Sequence, residues 1–287
     1  MKINLYKIKI QVLITLLHFC NFMLKLTHQF LDRKEYPMKK LFFALFILVQ
    51  ICSVFAQQKY SSADGFYGYE FSDDFSKMTA RILDSEVSSD SSNSIPTNIL
   101  HYEKYGIPFW SIGNYEYIYF ESDIYFILQN QEKQFILVKD GKWSEYWQKK
   151  VKPAIYEAST EQKDFFNNFE AFNLSQFNLN PWISESQTGG INEHITIEAN
   201  SNFSSFRIVN GFVDINNPDN FQSYNRVKTL KAYDQNENLI GTFELKDDSS
   251  IQVFNLEKEV NFVKFVVTEI YSGRIFSDVA LTVLQCY

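Results

Sequence analysis

The 287-residue chain has few of the residues that catalytic and metal sites usually draw on. It holds three Cys and four His. Cys20 and Cys52 fall in the first 56 residues, so Cys286, beside the C-terminus, is the one cysteine left for the rest. Residues 57–287 therefore have no internal disulfide and must fold on core burial alone. After residue 56 the histidines are His101 and His194, and neither a His-x-x-x-His nor a Cys-x-x-Cys spacing occurs. That argues against a zinc hydrolase. No Gly-x-Ser-x-Gly and no glycine-rich phosphate loop is present, which removes two common signatures of hydrolase and nucleotide chemistry. Gly and Pro are also scarce, at 10 and 6.

Basic residues are outnumbered, 27 Lys and Arg against 34 Asp and Glu. Residues 1–56 take eight of the basic residues and two of the acids, leaving a net charge of −13 on residues 57–287. Such a surface repels phosphate backbones and anionic lipid, so nucleic acid is not an expected partner.

What the chain does have is aromatic side chains: 28 Phe and 17 Tyr within a 17% aromatic composition. Aromatic residues suit half-buried pleated surfaces and predict a mainly β protein. The N-terminal segment is different. Met38-Lys39-Lys40, the apolar run Leu41 to Val49 and Val54-Phe55-Ala56 have the order of a signal peptide, with cleavage expected before Gln57. Cys52 is an alternative processing point, as a lipoprotein cysteine. Residues 1–37 carry a second apolar run, Ile10 to Leu24, which is short for a spanning helix. They are read as an over-extended start, with Met38 the initiator and no transmembrane span in the mature protein. The expected location is outside the cytoplasm: periplasmic, cell-surface or secreted.

Residues 57–175 are expected to form a small α+β domain. Phe71, Phe75, Met78 and Ile82 make one helical stripe, so Ser72 to Ser85 predicts a helix capped by Ser72. Ser85 to Ser94 reads as a polar loop. From Ile99 to Asp140 the pattern turns β-like, with four or five strands and a hairpin-type turn at Asp140-Gly141. Neither face of the Tyr115 to Phe120 run is purely polar, so both faces are expected to be partly covered.

Residues 178–287 alternate throughout. The pairs Ile195/Ile197, Phe206/Ile208, Leu230/Ala232, Phe243/Leu245 and Ile251/Val253 lie at intervals near ten residues. Val263/Phe265/Val267 and Val279/Leu281/Val283 complete the set. Seven or eight strands in this rhythm predict a β-sandwich or jelly roll.

A series of motifs marks its loops: Trp182-x-x-Glu185, Gly189-Gly190-Ile191-Asn192-Glu193, Asn210-Gly211-Phe212, Asn225-Arg226-Val227-Lys228, Tyr271-Ser272-Gly273 and Asp278. With the Tyr233 to Phe243 hairpin, the series resembles the accessory module found with secreted NAD glycohydrolases. That module is a discoidin-like sandwich (coagulation-factor type C) of galactose-binding type. The resemblance implies a glycan-binding role carried by Trp182, Glu185, Glu193, Asn225, Arg226, Lys228, Tyr271 and Asp278. Two positions depart from the family pattern. Asn192 stands for its second Gly, and Ala280-Leu281-Thr282 stands where it closes with Ser-Glu.

Each motif also has a purely structural reading. Trp182 seals a sandwich as readily as it stacks on a sugar, and Arg226 or Lys228 can pair with Asp278 or Glu193. Asp214, Asn216 and Asp219 offer hard oxygen ligands and are a candidate calcium set, without the Gly and distal Glu of an EF-hand. Three functions stay open at this point: an exported carbohydrate-binding protein that is not an enzyme, an exported enzyme with its site in residues 57–175, and an assembly module contacting an envelope protein.

Overall fold

The computed structural model describes residues 58–83, 96–163, 168–185 and 187–287. The leader readings on residues 1–56 and the Ser85–Ser94 loop lie outside them. Among the described residues no helix is long and apolar enough to cross a membrane. Residues 57–287 form one compact unit, and it is mainly β.

Its first part is a closed eight-stranded antiparallel barrel. The strands are β1 (Gln58–Ser62), β2 (Tyr67–Phe71), β3 (Lys77–Ile82), β4 (Thr97–Lys104), β5 (Ile107–Ile112), β6 (Tyr115–Glu121), β7 (Tyr125–Gln129) and β8 (Gln134–Lys139). They run in sequence order, and β8 pairs back onto β1. The five strands β4 to β8 fill the segment expected to hold four or five.

The helix expected over Ser72–Ser85 does not form. Asp74 Oδ1 instead accepts hydrogen bonds from Ser72 Oγ (2.7 Å), the Ser76 N–H (3.0 Å) and Ser76 Oγ (2.8 Å), which closes a turn. Phe75 sits in it at φ +55°. Phe71 and Met78 then face each other across the β2–β3 ladder. A hairpin thus gathers the apolar residues that a helix would have gathered, and the described residues within 58–139 are all β. Asp140-Gly141 does make a turn, with Gly141 at φ +77°. It leads into a short helix, α1 (Trp143–Gln148), and not into a partner strand.

Alternate residues on the barrel strands point into the lumen or outward. One half of the lumen is packed with rings. Tyr60 lies 4.8 Å from Phe126, Trp110 lies 4.5 Å from Tyr119 and Phe71 lies 5.6 Å from Phe126, between ring centres. Outward-facing Phe109, Ile118, Phe120, Ile127 and Val138 are almost fully buried as well, against Val209, Val213, Phe221, Ile251 and Val283.

Those partners belong to the second part, a jelly-roll sandwich. Its strands are β9 (Ala154–Ala158), β12 (Trp182–Ile183), β13 (His194–Asn210), β14 (Asn225–Tyr233), β15 (Leu239–Glu244), β16 (Ile251–Tyr271) and β17 (Val279–Cys286). A two-residue pair, β10 (Gln162–Lys163) with β11 (Asn168–Phe169), and a 3-10 turn at Ala171–Ser175 precede β12. The helical turn α2 (Asn220–Ser223) precedes β14. Strand β17 pairs antiparallel with β13 and parallel with β14, while β13 and β14 both pair with β16. The four strands close a ring around a core of Trp182, Phe206, Leu230, Phe265 and Leu281.

The expected strand count changes in one respect. Ile195/Ile197 and Phe206/Ile208 lie on the single strand β13, and Ile251/Val253 and Val263/Phe265 lie on the single strand β16. Register shifts between Glu198 and Ser205 bend the pair where the sequence suggested a break. Strand β9 already pairs with β13, so the C-terminal sheet takes in residues upstream of the boundary expected near 175.

The hairpin loop Asp234–Asn238 is held by a carboxylate. Asp234 accepts hydrogen bonds from Lys258 Nζ (2.6 Å) and from the Asn236 and Asn238 N–H groups (2.9 Å each). The Lys258 ammonium and then the Asn238 contacts hold its carboxyl well below the usual carboxylate range. Its stabilising effect is complete above the unfolded pKa of about 4 and is lost as pH falls towards the lower folded value. The urea midpoint of the wild type is therefore expected to fall more steeply than that of Asp234→Asn between roughly pH 5 and pH 2. Equal slopes would refute this account of the loop. A second expectation concerns the shared core. Phe120→Ala empties a buried site between barrel and sandwich and should cost about 3–5 kcal/mol in urea denaturation, with one cooperative transition retained. A loss below about 1 kcal/mol would show that the contact contributes little.

Candidate functional site

The loop motifs meet at the end of the sandwich where β14 begins. Asn225 and Arg226, the first two residues of β14, pair with Val279 and Ala280 of β17. Both side chains are buried, and both are consumed by the neighbouring loops. Asn225 Nδ2 donates to the carbonyls of Gly189 (3.0 Å) and Ser277 (2.6 Å), and its Oδ1 accepts from the Gly273 N–H (2.7 Å). Arg226 Nε donates to Asp247 Oδ1 (2.5 Å) and Nη2 to Asp247 Oδ2 (3.2 Å). Its Nη1 donates to the carbonyls of Phe221 (3.0 Å) and Tyr224 (2.8 Å), and Nη2 reaches the Ser272 carbonyl at 3.5 Å. The guanidinium thus has a partner for each of its five N–H bonds. Two adjacent side chains tie together the loops around 189, 221–224, 247 and 272–277.

The glycines of the motifs follow from this closeness. A Cβ on Gly273 would stand 2.5 Å from the Ser223 carbonyl oxygen, and one on Gly190 would stand 2.4 Å from Val279. Asn192 has φ +71°. Asn is among the few residues that occupy this left-handed region readily, so the departure from the family's glycine preserves the backbone.

Three further motif residues converge on Thr160 rather than on solvent. The Trp182 indole N–H donates to the Thr160 carbonyl at 2.9 Å, and its ring is wholly buried in the sandwich core. Glu193, also buried, accepts hydrogen bonds from Ser159 Oγ and from Thr160 Oγ1 (2.7 Å). The Glu185 N–H donates to Thr160 Oγ1 at 3.1 Å, leaving its carboxylate exposed. On the adjoining strands Lys228 pairs with Glu269 at 2.6 Å, and the Tyr271 hydroxyl donates to the Leu245 carbonyl at 2.9 Å.

Trp182, Glu193 and Arg226 are buried, so with Asp278 they form no open cleft. Trp182, Glu193, Asn225 and Arg226 hold the framework, because buried polar groups already bonded to loop carbonyls and hydroxyls present nothing to a ligand. Asp278 is partly exposed and lends its carbonyl to the Asn225 N–H (3.0 Å). The candidate calcium residues have partners within the protein. Asp214 accepts from the Asn216 N–H (2.9 Å) in an Asx turn, and Asp219 pairs with Arg274. Among the described residues no group of three or more His, Cys, Asp or Glu is placed to hold a metal.

What the loops do expose is aromatic. The β16–β17 loop is pinned by N–H donation from Arg274 to the Gln222 carbonyl (2.9 Å) and from Ile275 (3.1 Å) and Phe276 (2.9 Å) to the Ser223 carbonyl. Held in this way, Phe276 keeps 43% of its surface exposed. Its ring stacks on Tyr224 at 4.4 Å, Tyr224 lies 5.4 Å from Phe212, and Phe212 lies 5.9 Å from Phe169. The line of rings runs from the buried flank of the sandwich to the surface. Ile275 beside it is 66% exposed. Neither Phe276 nor Tyr224 stands out in the sequence. The available signal is an aromatic-aliphatic pair inside a loop bounded by Gly273 and Asp278.

Arg226→Met is expected to cost about 2–4 kcal/mol, since it leaves the Phe221 and Tyr224 carbonyls without donors and Asp247 without a cation. Urea denaturation checks this. A change within about 0.5 kcal/mol would mean that the loops do not depend on the guanidinium.

No curated protein matches the chain. Solved structures that align with it include a family 32 carbohydrate-binding module from Clostridium perfringens in complex with GalNAc-β-1,3-galactose. That module is 15% identical, with a TM-score of 0.36, over 47% of this chain and 94% of the other. The C-terminal domain of a chitobiase from Bacteroides fragilis is 18% identical, with a TM-score of 0.34, over 48% and 94%. A family 32 carbohydrate-binding module from Streptococcus pneumoniae is 10% identical, with a TM-score of 0.36, over 48% and 97%. The family model that matches is the NAD glycohydrolase translocation F5/8 type C domain, over residues 145–287, a span that contains β9 and every loop of the rim. Residues 145–287 of this chain are therefore a domain of the NAD glycohydrolase translocation F5/8 type C family.

Proposed function

We propose that this is an exported protein whose C-terminal sandwich binds a glycan at the loop rim and which is not itself an enzyme. The observation that carries the reading is the Phe276 ring, solvent-exposed and stacked on Tyr224, on a loop whose backbone is tied to α2. An exposed aromatic face suits the apolar C–H face of a pyranose, and a ring already held in place loses little freedom on binding. Glu185 and Asp278 flank the loops and supply acceptors for sugar hydroxyls. The family membership of residues 145–287 supports a recognition role for this end of the molecule. Export rests on the leader pattern of residues 38–56.

The contact set thus moves from Trp182, Glu193, Asn225 and Arg226 to Phe276, Tyr224, Glu185 and Asp278. Lys228 and Tyr271 belong to the neighbouring strands and are secondary. On a glycan array probed with multimerised protein, binding to a restricted set of pyranosides is expected, with multivalency compensating for single-site Kd values of about 1 mM. Phe276→Ala should reduce the signal about tenfold or more with the thermal midpoint nearly unchanged, because an exposed ring contributes little to folding. Absence of array binding, or binding that Phe276→Ala leaves intact, would refute the assignment.

A further inference from the structure

The barrel contains a second feature that the rim does not use. One half of its lumen is the ring-packed plug formed by Tyr60, Phe71, Trp110, Tyr119 and Phe126. The other half is a cavity of about 130 Å³. Its wall is formed by Tyr69, Met78, Ile112, Tyr117, Leu128, Phe135 and Leu137, one from each of the strands β2, β3, β5, β6 and β7 and two from β8. All seven side chains are apolar or aromatic. The only polar atoms they bring are the Tyr69 and Tyr117 hydroxyls, for which the structure shows no hydrogen bond to a described residue.

The registers place this cavity at one end of the barrel. Tyr67 opposes Ile82, Ile112 opposes Tyr115, and Leu128 opposes Phe135, so the start of β2, the end of β3, the β5–β6 turn and the start of β8 share that end. Phe66, Tyr67, Leu83 and Tyr115 are exposed there. Among the described residues, strands β3 and β4 pair through Lys77 with Asn98 and Met78 with Thr97. The sandwich covers outward-facing residues of the barrel, so it does not account for the lumen.

We infer that this open half of the barrel is a binding site for a small, mostly apolar molecule about one ring in size that carries a single hydroxyl or carbonyl group. Size sets the first limit. An apolar cavity of about 150 Å³ holds a benzene ring; the cup is slightly smaller but open to solvent on one side, so it takes one ring with room for a small substituent at the mouth. Small eight-stranded barrels either fill their interior with side chains or enclose one small ligand, and this barrel does the first in one half and the second in the other. Chemistry sets the second limit. A polar wall would favour water, whereas this one favours an apolar body and offers two hydroxyls to a single polar substituent. A charged ligand is disfavoured, since the seven wall residues contain no ionised group to pair with it.

The test uses p-cresol and toluene as probes in isothermal titration of the intact protein. Saturable one-site binding of p-cresol with a Kd of roughly 0.1–1 mM is expected, with toluene several-fold weaker. Tyr117→Phe should remove most of that difference. Met78→Phe fills the cup and should weaken p-cresol binding at least about tenfold while near-ultraviolet circular dichroism stays native. Ala80 is exposed and opposite Tyr69 in the β2–β3 ladder, so Ala80→Trp narrows the mouth without disturbing the core. It should produce the same loss and stands in for Met78→Phe if that variant fails to fold. No saturable p-cresol binding, or binding that both cup variants leave unchanged, would overturn the inference.

Discussion

Much of the architecture depends on the apolar outer face that strands β5 to β8 turn toward the sandwich. Phe109, Ile118, Phe120 and Ile127 are buried there against Val209, Val213, Phe221 and Val283. The sandwich strand β17 is buried along its whole length, with Leu281 in the sandwich core and Val283 against the barrel. Burying a large apolar side chain stabilises by about 1.5–3 kcal/mol, so this face outweighs the polar contacts that cross it. One such contact is Arg207, which donates to the Tyr125 hydroxyl of β7 and to Gln285 Oε1 at 2.7 Å. Because the contact uses outward side chains, it makes no demand on the lumen. The inward set can pack densely at one end and stay open at the other.

A different constraint governs the loops of the sandwich. No disulfide is available to fix them, since Cys286 is buried and alone among the described residues, with its thiol pushed upward by burial. Asn225 and Arg226 take that role through bonds from side chain to backbone. Each such bond has a modest net value, but a buried donor deprived of its partner is costly, so the arrangement resists partial opening. The same rigidity makes Phe276 a defined surface rather than a mobile one. Framework and exposed surface are thus distributed over different residues: those that look most like ligands in the sequence hold the loops, and Phe276 stays exposed on one of them.

The division explains what was legible beforehand. Alternation gave the sandwich and the five strands from β4 to β8, because period-two burial leaves a mark on every second residue. The absence of a polar face in Tyr115–Phe120 correctly announced covering on both sides. The stripe Phe71, Phe75, Met78 misled because a tight hairpin brings such residues together as well as a helix does, and the Asx turn at Asp74 decides between them. For Trp182, Glu193 and Arg226 the sequence left two readings open for another reason. Indole, carboxylate and guanidinium groups bond equally well to a sugar or to a neighbouring loop, and burial, which is set by contacts distant in sequence, determines which occurs. Phe276 left no periodic trace because it lies in a loop.

Joining barrel and sandwich through one apolar core also fixes what binding at either end can do. A molecule that binds only the folded state raises the stability of every element that unfolds with its site. A glycan on the rim or a small apolar molecule in the cup would therefore each protect both halves, and neither effect would reveal where the ligand sits. Shared stabilisation is not communication, however. One ligand alters the affinity for the other only through an element with two arrangements that the two sites favour differently. The rim rests on bonded loops, and the cup rests on a ladder closed from β8 to β1. Independent binding at the two ends is the simpler consequence of this fold.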